Sequence, residues 1–392
     1  MNSKSKIEPE LAQPTFRPRI SRMALWFRYR VWLVMVIAAV TGSGLGFWWV
    51  RLQRLNPAEL PEIPDTEQPE VKLVLPIPAR ANSPWQIQQS FTGVGRNINS
   101  LAISPDGSTL ASSSDFSRVN LWDLNRICTG QECATPKQTL PMYSLWVYDV
   151  GFTSNGQYVV GGSWELVKIW EVDTGKLLNY FRAHFGSLYA IALGRQTSLL
   201  ATASSDQTVK VWDLLSGKLQ WTFTGHRTDV RALVISQDEK ILASGSKGGE
   251  IKVWSLERPC QGSCDQPILT LSGHSQQINA LAITPDRRYL ISAGADQNVK
   301  VWNLTTGKLI RSFLAHEGTV LSLGLSPDGL TFATGGADQK IRIWDTASGT
   351  LLDVLSGHNG AVKSLVFSRD GQTLVSGGND RRINVWQSIA KP

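Results

Sequence analysis

The 392-residue chain is 42% apolar and 18% charged, which excludes a disordered protein and leaves enough apolar material for one large core or two ordinary ones. Its net charge of +7 is unevenly placed: residues 1–30 carry seven Lys/Arg against two Asp/Glu, whereas residues 85–392 carry 28 against 25. The larger part is near neutral and shows no basic cluster interleaved with aromatics, so the charge is no argument for nucleic acid as a partner.

Residues 1–30 form a basic tail. Residues 31–50, VWLVMVIAAVTGSGLGFWWV, are uncharged across twenty positions, the length a helix needs to cross about 30 Å of hydrocarbon. A single transmembrane helix is expected there, with Trp26 and Trp32 at one interface and Trp48 and Trp49 at the other. A cleaved signal peptide fits less well, because the run exceeds an h-region and ends in Trp-Trp-Val-Arg with no small-residue cleavage site. Arg17, Arg19, Arg22, Arg28 and Arg30 precede the span, and Glu59, Glu62, Asp65, Glu67 and Glu70 follow it. Positive-inside then puts the N-terminus in the cytoplasm and the rest of the chain on the exported side. Ala38, Gly42 and Gly46 recur every four residues. They are either a small-residue face for weak homodimerisation or merely small residues in an apolar span.

Residues 51–84 contain seven prolines and no sustained apolar period, the composition of a partly extended spacer. At about 3.1 Å per residue it could reach on the order of 100 Å.

Beyond it the chain repeats itself. VNLWD, VKIWE, VKVWD, IKVWS, VKVWN, IRIWD and INVWQ place Trp122, Trp170, Trp212, Trp254, Trp302, Trp344 and Trp386 in one slot, at spacings of 48, 42, 42, 48, 42 and 42. Turn sequences such as SPDG at 104 and 326 or SRDG at 368 lie 18 residues ahead of the Trp, and alternating runs such as LLATAS and YLISAG fill the interval. The second repeat is one residue shorter. The domain is all-β.

Seven units ending in Trp-Asp or a variant, with Gly-His or Ala-His ahead of the first strand, resemble the WD-repeat family over residues 85–392. Their regularity resembles bacterial WD-repeat proteins. The resemblance implies a seven-bladed β-propeller of four-stranded blades, in which the sequence repeat is offset from the blade. It also implies that WQIQQSF at 85–91, which aligns with KLIRSF at 308 and KLLNYF at 176, completes the last blade, since INVWQ at 383–387 is followed by almost no chain.

The five histidines, His184, His226, His274, His316 and His358, keep the spacing of the repeat, one per blade, so they cannot converge on a metal. The resemblance gives them a structural role in His, Asp, Ser/Thr and Trp networks. The sets are His184, Asp206, Thr202, Trp212; His274, Asp296, Ser292, Trp302; His316, Asp338, Thr334, Trp344; and His358, Asp380, Ser376, Trp386. The fourth repeat keeps His226, Ser244 and Trp254 but has Gly248 in the Asp slot. The first has Val94 and Phe116 in the His and Asp slots, and the second has Tyr143, Gly161 and Trp164 where the network fails.

That departure has two readings. It is drift tolerated by the ring, or Phe116, Tyr143, Trp146, Tyr148 and Trp164, with Arg96 on the rim, form a protein-binding hot spot on the face bearing the histidine loops. The closing strand begins at the opposite face, which leaves the histidine-loop face free.

Cys128 and Cys133 lie in one six-residue insertion and Cys260 and Cys264 in another, both after the Trp strand and expected on the face opposite the histidine loops. Blades one and four are too far apart in a ring of seven for a disulfide or a four-Cys metal site, so the pairs expected are Cys128 with Cys133 and Cys260 with Cys264. They require an oxidising space, which agrees with export. No Gly-rich phosphate loop, H-E-x-x-H or nucleophile elbow is present in the domain, and neither cofactor nor metal is called for. The leading expectation is a membrane-anchored, non-catalytic interaction scaffold. The alternative is a propeller enzyme or small-molecule receptor that uses the central channel, since propellers host both.

Overall fold

The computed structural model describes residues 71–72, 83–92, 97–115, 117–126, 135–142, 146–257, 263–264 and 266–389. The tail, the apolar stretch 31–50 and most of the proline-rich segment lie outside them. Among the described residues no helix is long and apolar enough to cross a membrane.

All described elements are strands, arranged in seven sheets. Four strands of each sheet form an antiparallel meander, named a to d from the axis outward. Blade 3 is typical: Leu188–Leu193 (a), Leu199–Ser204 (b), Val209–Asp213 (c) and Lys218–Phe223 (d). Blades 1, 2, 4, 5 and 6 follow the same plan over residues 98–141, 147–182, 230–272, 278–314 and 320–356. The a strands of all seven pack against one another in a closed circle, so the sheets form a propeller with the a strands around its axis. Antiparallel order puts the d-to-a loops and b-to-c turns on one face, which carries the histidines, and the a-to-b and c-to-d turns on the other.

Blade 7 takes its d strand from the other end of the domain. Trp85–Phe91 pairs antiparallel with Ile383–Ser388, from Trp85 opposite Ser388 to Phe91 opposite Ile383. The Ile389 amide donates to the Pro84 carbonyl at 2.7 Å, and the Ser83 hydroxyl donates to the Asp353 carboxylate of blade 6. The strand also carries part of the core. In blades 2, 3 and 5 an aromatic ring near the end of strand d packs on the c-strand Trp of the next blade: Phe181 on Trp212 at 5.0 Å, Phe223 on Trp254 at 5.0 Å, Phe313 on Trp344 at 4.8 Å. Phe91 makes that contact across the join, 5.3 Å from Trp122.

Small residues on strand b let neighbouring blades approach. A Cβ on Gly335 would come within 2.7 Å of Val362 Cγ1 in the next blade.

Two segments depart from their expected places. Val71–Lys72 was assigned to the spacer, yet its backbone pairs in parallel with the d strand of blade 5, Val71 opposite Ser312 and Lys72 opposite Phe313. Ser263–Cys264, expected on the face opposite the histidines, instead lies on the flank of blade 3, Cys264 opposite Phe223. The reason is common to both. A d strand is an open edge with unpaired amides and carbonyls, and nearby extended backbone satisfies them.

A chain beginning at residue 92 loses both the partner of Ile383–Ser388 and the Phe91 ring. It should aggregate or melt far below the intact domain, and Phe91→Ala alone should cost about 3–5 kcal/mol. Thermal melting with light scattering checks both.

Candidate interaction surface

The hydrogen-bond networks fix the face on which any site is built. In blade 3 the His184 Nδ1–H donates to Asp206 at 2.9 Å, the Thr202 hydroxyl meets Nε2 at 2.7 Å, and the Trp212 indole donates to Thr202 at 2.9 Å. The same chain joins His274, Asp296, Ser292 and Trp302 in blade 5, His316, Asp338, Thr334 and Trp344 in blade 6, and His358, Asp380, Ser376 and Trp386 in blade 7. The Asp does double duty, accepting also from the backbone amide after the histidine, Phe185 in blade 3 and Asn359 in blade 7. Burial works to raise the Asp206 and Asp338 carboxyls, but their histidine partners outweigh it and hold both well below the usual range.

Blade 4 shows what the missing carboxylate does. His226 Nε2 meets Ser244 at 2.7 Å and Trp254 donates to Ser244 at 2.9 Å, but the buried Nδ1 has no hydrogen-bond partner, the Glu250 carboxylate standing 3.7 Å away. Burial, helped by the Lys252 ammonium, pushes this imidazole down to about 4. Blade 1 keeps only the end of the chain, Trp122 donating to Ser112 at 2.9 Å.

The axis is lined by a device invisible in the repeat pattern. Every a strand carries a one-residue bulge after its first residue. The extra residues, Asn99, Tyr148, Tyr189, Arg231, Asn279, Leu321 and Lys363, all line the axial channel, a cavity of about 440 Å3. A bulge re-aims its side chain. Here it puts Tyr189 edge-on to Tyr148 at 5.3 Å and the Arg231 guanidinium 3.5 Å above the Tyr189 ring, anchored to Asp229 at 2.8 Å. Where the next residue along strand a is polar, it bonds across to a neighbouring blade. Ser364 accepts from the Leu101 amide at 2.9 Å, and Asp149 accepts from the Ser100 hydroxyl at 2.6 Å and the Ile191 amide at 2.8 Å, tying blades 1, 2 and 3. Burial pushes Asp149 up to about 6 against these donors.

The outer cluster sits on blade 2. Trp146 and Trp164 stack at 6.4 Å with planes 15° apart, 39% and 48% exposed. The shortened b-to-c turn forces Trp164 to φ 29°, a conformation costly for a bulky side chain. Its carbonyl accepts from the Leu188 amide and that of Glu165 from the Ala183 amide at 2.7 Å, so the turn is clamped to the loop entering blade 3. That loop carries Phe185, 78% exposed, with the Arg182 guanidinium 4.5 Å from its ring centre and bonded to Glu165 at 2.8 Å.

Of the residues proposed for the hot spot, Trp146 and Trp164 come together on the surface, whereas Tyr148 turns into the channel. Arg96, Phe116 and Tyr143 lie outside the described residues, as do the side chains of Cys128, Cys133, Cys260 and Cys264. Phe185, Tyr189 and Arg231 were missed. Phe185 had a signal: it follows His184, where the other repeats carry Arg227, Ser275, Glu317 and Asn359.

The family model for the WD domain, G-beta repeat, matches residues 85–123, 134–171, 175–213, 217–255, 265–303, 307–345 and 349–387. The chain is a WD-repeat protein. Each matched repeat begins with a d strand and ends with the c strand of the next blade, the offset that the Trp85–Phe91 strand resolves. No curated protein matches the chain closely enough to report.

Two measurements follow from the polar network of this WD-repeat protein. Gly248→Asp should supply the missing acceptor to His226; Thr228 Oγ1, 3.2 Å from the new Cβ, must shift slightly. A gain of about 1 kcal/mol at neutral pH is expected. Because the His226 pKa in the fold, about 4, lies below the ordinary 6.5, the unfolded chain binds more protons between them and stability falls as pH drops through that window, by up to about 3 kcal/mol. The variant should flatten that loss in melting curves taken from pH 7 to 4.5.

Asp149 behaves oppositely. Its folded pKa lies above the ordinary 3.8, so stability falls as pH rises through the window between 3.8 and about 6. Asp149→Asn retains an acceptor for Ile191 and removes the charge. It should stabilise at pH 7.5 by about 1–3 kcal/mol, with the gain vanishing near pH 4.

Proposed function

We propose that the protein is a membrane-anchored, non-catalytic scaffold whose propeller binds a protein partner through the histidine-loop face of blades 2 and 3, on the exported side of the membrane. The single observation that carries the reading is the stacked, solvent-facing pair Trp146 and Trp164, 39% and 48% exposed. Large rings with a polar atom bury much area at little cost in rotamer entropy, which suits them to a hot spot. Anchoring is supported by the uncharged stretch 31–50, and export by the arginines before it and the acids after it. The pairs Cys128–Cys133 and Cys260–Cys264, oxidised, belong to the same reading.

A second reading has its own observation. Tyr148, Tyr189, Arg231, Asn99 and Lys363 converge in the axial channel, which suits a small polar ligand. That reading needs a ligand to protect the channel residues, whereas the scaffold needs the outer rings.

The test separates binding from folding. Trp164→Gly removes the ring and also relieves the positive φ, so it should hold or raise the melting temperature while abolishing capture of partners from the native membrane. Trp146→Ala should weaken capture with little change in melting. Capture that persists in both variants, or falls only in step with unfolding, returns the rings to a packing role. Four free thiols after trapping in the native host would remove the export half of the proposal.

A further inference from the structure

The histidine-loop face of blades 2 to 4 alternates aromatic rings with cations. Trp146 and Trp164 are followed by Phe185 with Arg182 and Lys210 beside its ring, then by Arg227 and Lys247 in the exposed loops of blade 4, while Tyr189 under Arg231 lies inward of them in the axial channel. The acids nearby are already engaged: Glu165 with Arg182, Asp206 with His184, Asp229 with Arg231 and Glu250 with Lys252. Among the described residues no carboxylate is paired with Arg227 or Lys247, so the stripe presents apolar rings at one end and uncompensated positive charge at the other.

Aromatic surfaces of this kind take proline-rich segments, because the polyproline II helix is already ordered and lays a proline face on the rings. Flanking carboxylates complement cations and set the register. One such segment exists in the chain itself. Residues 57–70, PAELPEIPDTEQPE, hold four prolines and five acids with no Lys or Arg, and Pro61-Glu62-Ile63-Pro64 spaces two prolines one polyproline turn apart.

We propose that this stripe docks the acidic, proline-rich segment 57–70 of a second copy of the chain. In its own copy the segment leads into Val71 and Lys72, whose backbone pairs with the outer edge of blade 5, three blades from Trp146 and Trp164. Exchange between two copies satisfies both stripes by one symmetric contact. The inference rests on reading the Trp146 and Trp164 pair as a docking surface, and it is independent of the anchor.

Sedimentation of the full chain in detergent, with a synthetic peptide of residues 55–70 as probe, tests it. The chain should sediment as a concentration-dependent dimer that excess peptide converts to monomer. Pro61→Ala with Pro64→Ala, and separately Trp164→Gly, should be monomeric at unchanged melting temperature. Peptide affinity for the doubly Pro-substituted chain, read from tryptophan fluorescence, should fall about tenfold or more on Trp164→Gly and weaken with added salt. Gly42→Leu with Gly46→Leu should leave the dimer intact. A monomer at every concentration, a dimer indifferent to the peptide, or one lost only on Gly42→Leu with Gly46→Leu overturns the proposal. If Trp164→Gly abolishes capture of a different protein while the peptide does nothing, the docking surface stands and the self-association falls.

Discussion

A propeller depends on one contact that the chain cannot make locally: the pairing of Trp85–Phe91 with Ile383–Ser388. Each blade buries its apolar surface only against its two neighbours, so a ring open at one place exposes two faces and a strand edge at once. The closing strand answers both demands. Its backbone completes the sheet of blade 7, and Phe91 reaches across to Trp122 of blade 1 as Phe181, Phe223 and Phe313 do elsewhere. The sequence separation across this join is nearly the whole domain, so loop closure must precede the reward, which makes the join the natural weak point of folding.

With closure supplied by backbone and core, the hydrogen-bond networks become a reinforcement that individual blades can forgo. Blade 4 survives without a carboxylate for His226, and blade 1 with only Trp122 on Ser112. This tolerance is what frees loop positions for binding. Where the carboxylate persists, as at Asp206, it is committed to the histidine and to the Phe185 amide and cannot serve a ligand.

What could be read from the sequence follows the same division. The period of the Trp slot, the histidine spacing and the likeness of WQIQQSF to KLLNYF gave the blade number, the networks and the closing strand, because these are properties of a repeat. Anything that breaks the repeat or arises from geometry was hidden. The bulges that aim Tyr148, Tyr189 and Arg231 into the channel leave no mark in the alternation of apolar residues, which is why Tyr148 was grouped with the outer rings. The pairing of Val71–Lys72 with blade 5 is two residues long and carries no composition signal. Phe185 alone was legible in principle, as an aromatic in a slot otherwise polar.

Several groups around the ring cost stability. Trp164 is held at positive φ in blade 2, Asp149 is buried with its pKa raised in the same blade, and the Nδ1 of His226 is unpartnered in blade 4. Each is worth about 1–3 kcal/mol, and together they rival the net stability of an ordinary domain. Blades 5, 6 and 7 keep complete networks through His274, His316 and His358. Costs of the same kinds recur there, since Gln297, Gln339 and Arg381 hold positive φ in the corresponding b-to-c turns and the Thr346 hydroxyl of blade 6 is buried without a partner. What sets blade 2 apart is the residue that bears the strain: Trp164, stacked on Trp146, where blades 3, 5, 6 and 7 carry Gln207, Gln297, Gln339 and Arg381. A bulky ring is the costlier occupant of such a turn, and with 48% of its surface open to solvent the fold recovers only part of that cost by burial.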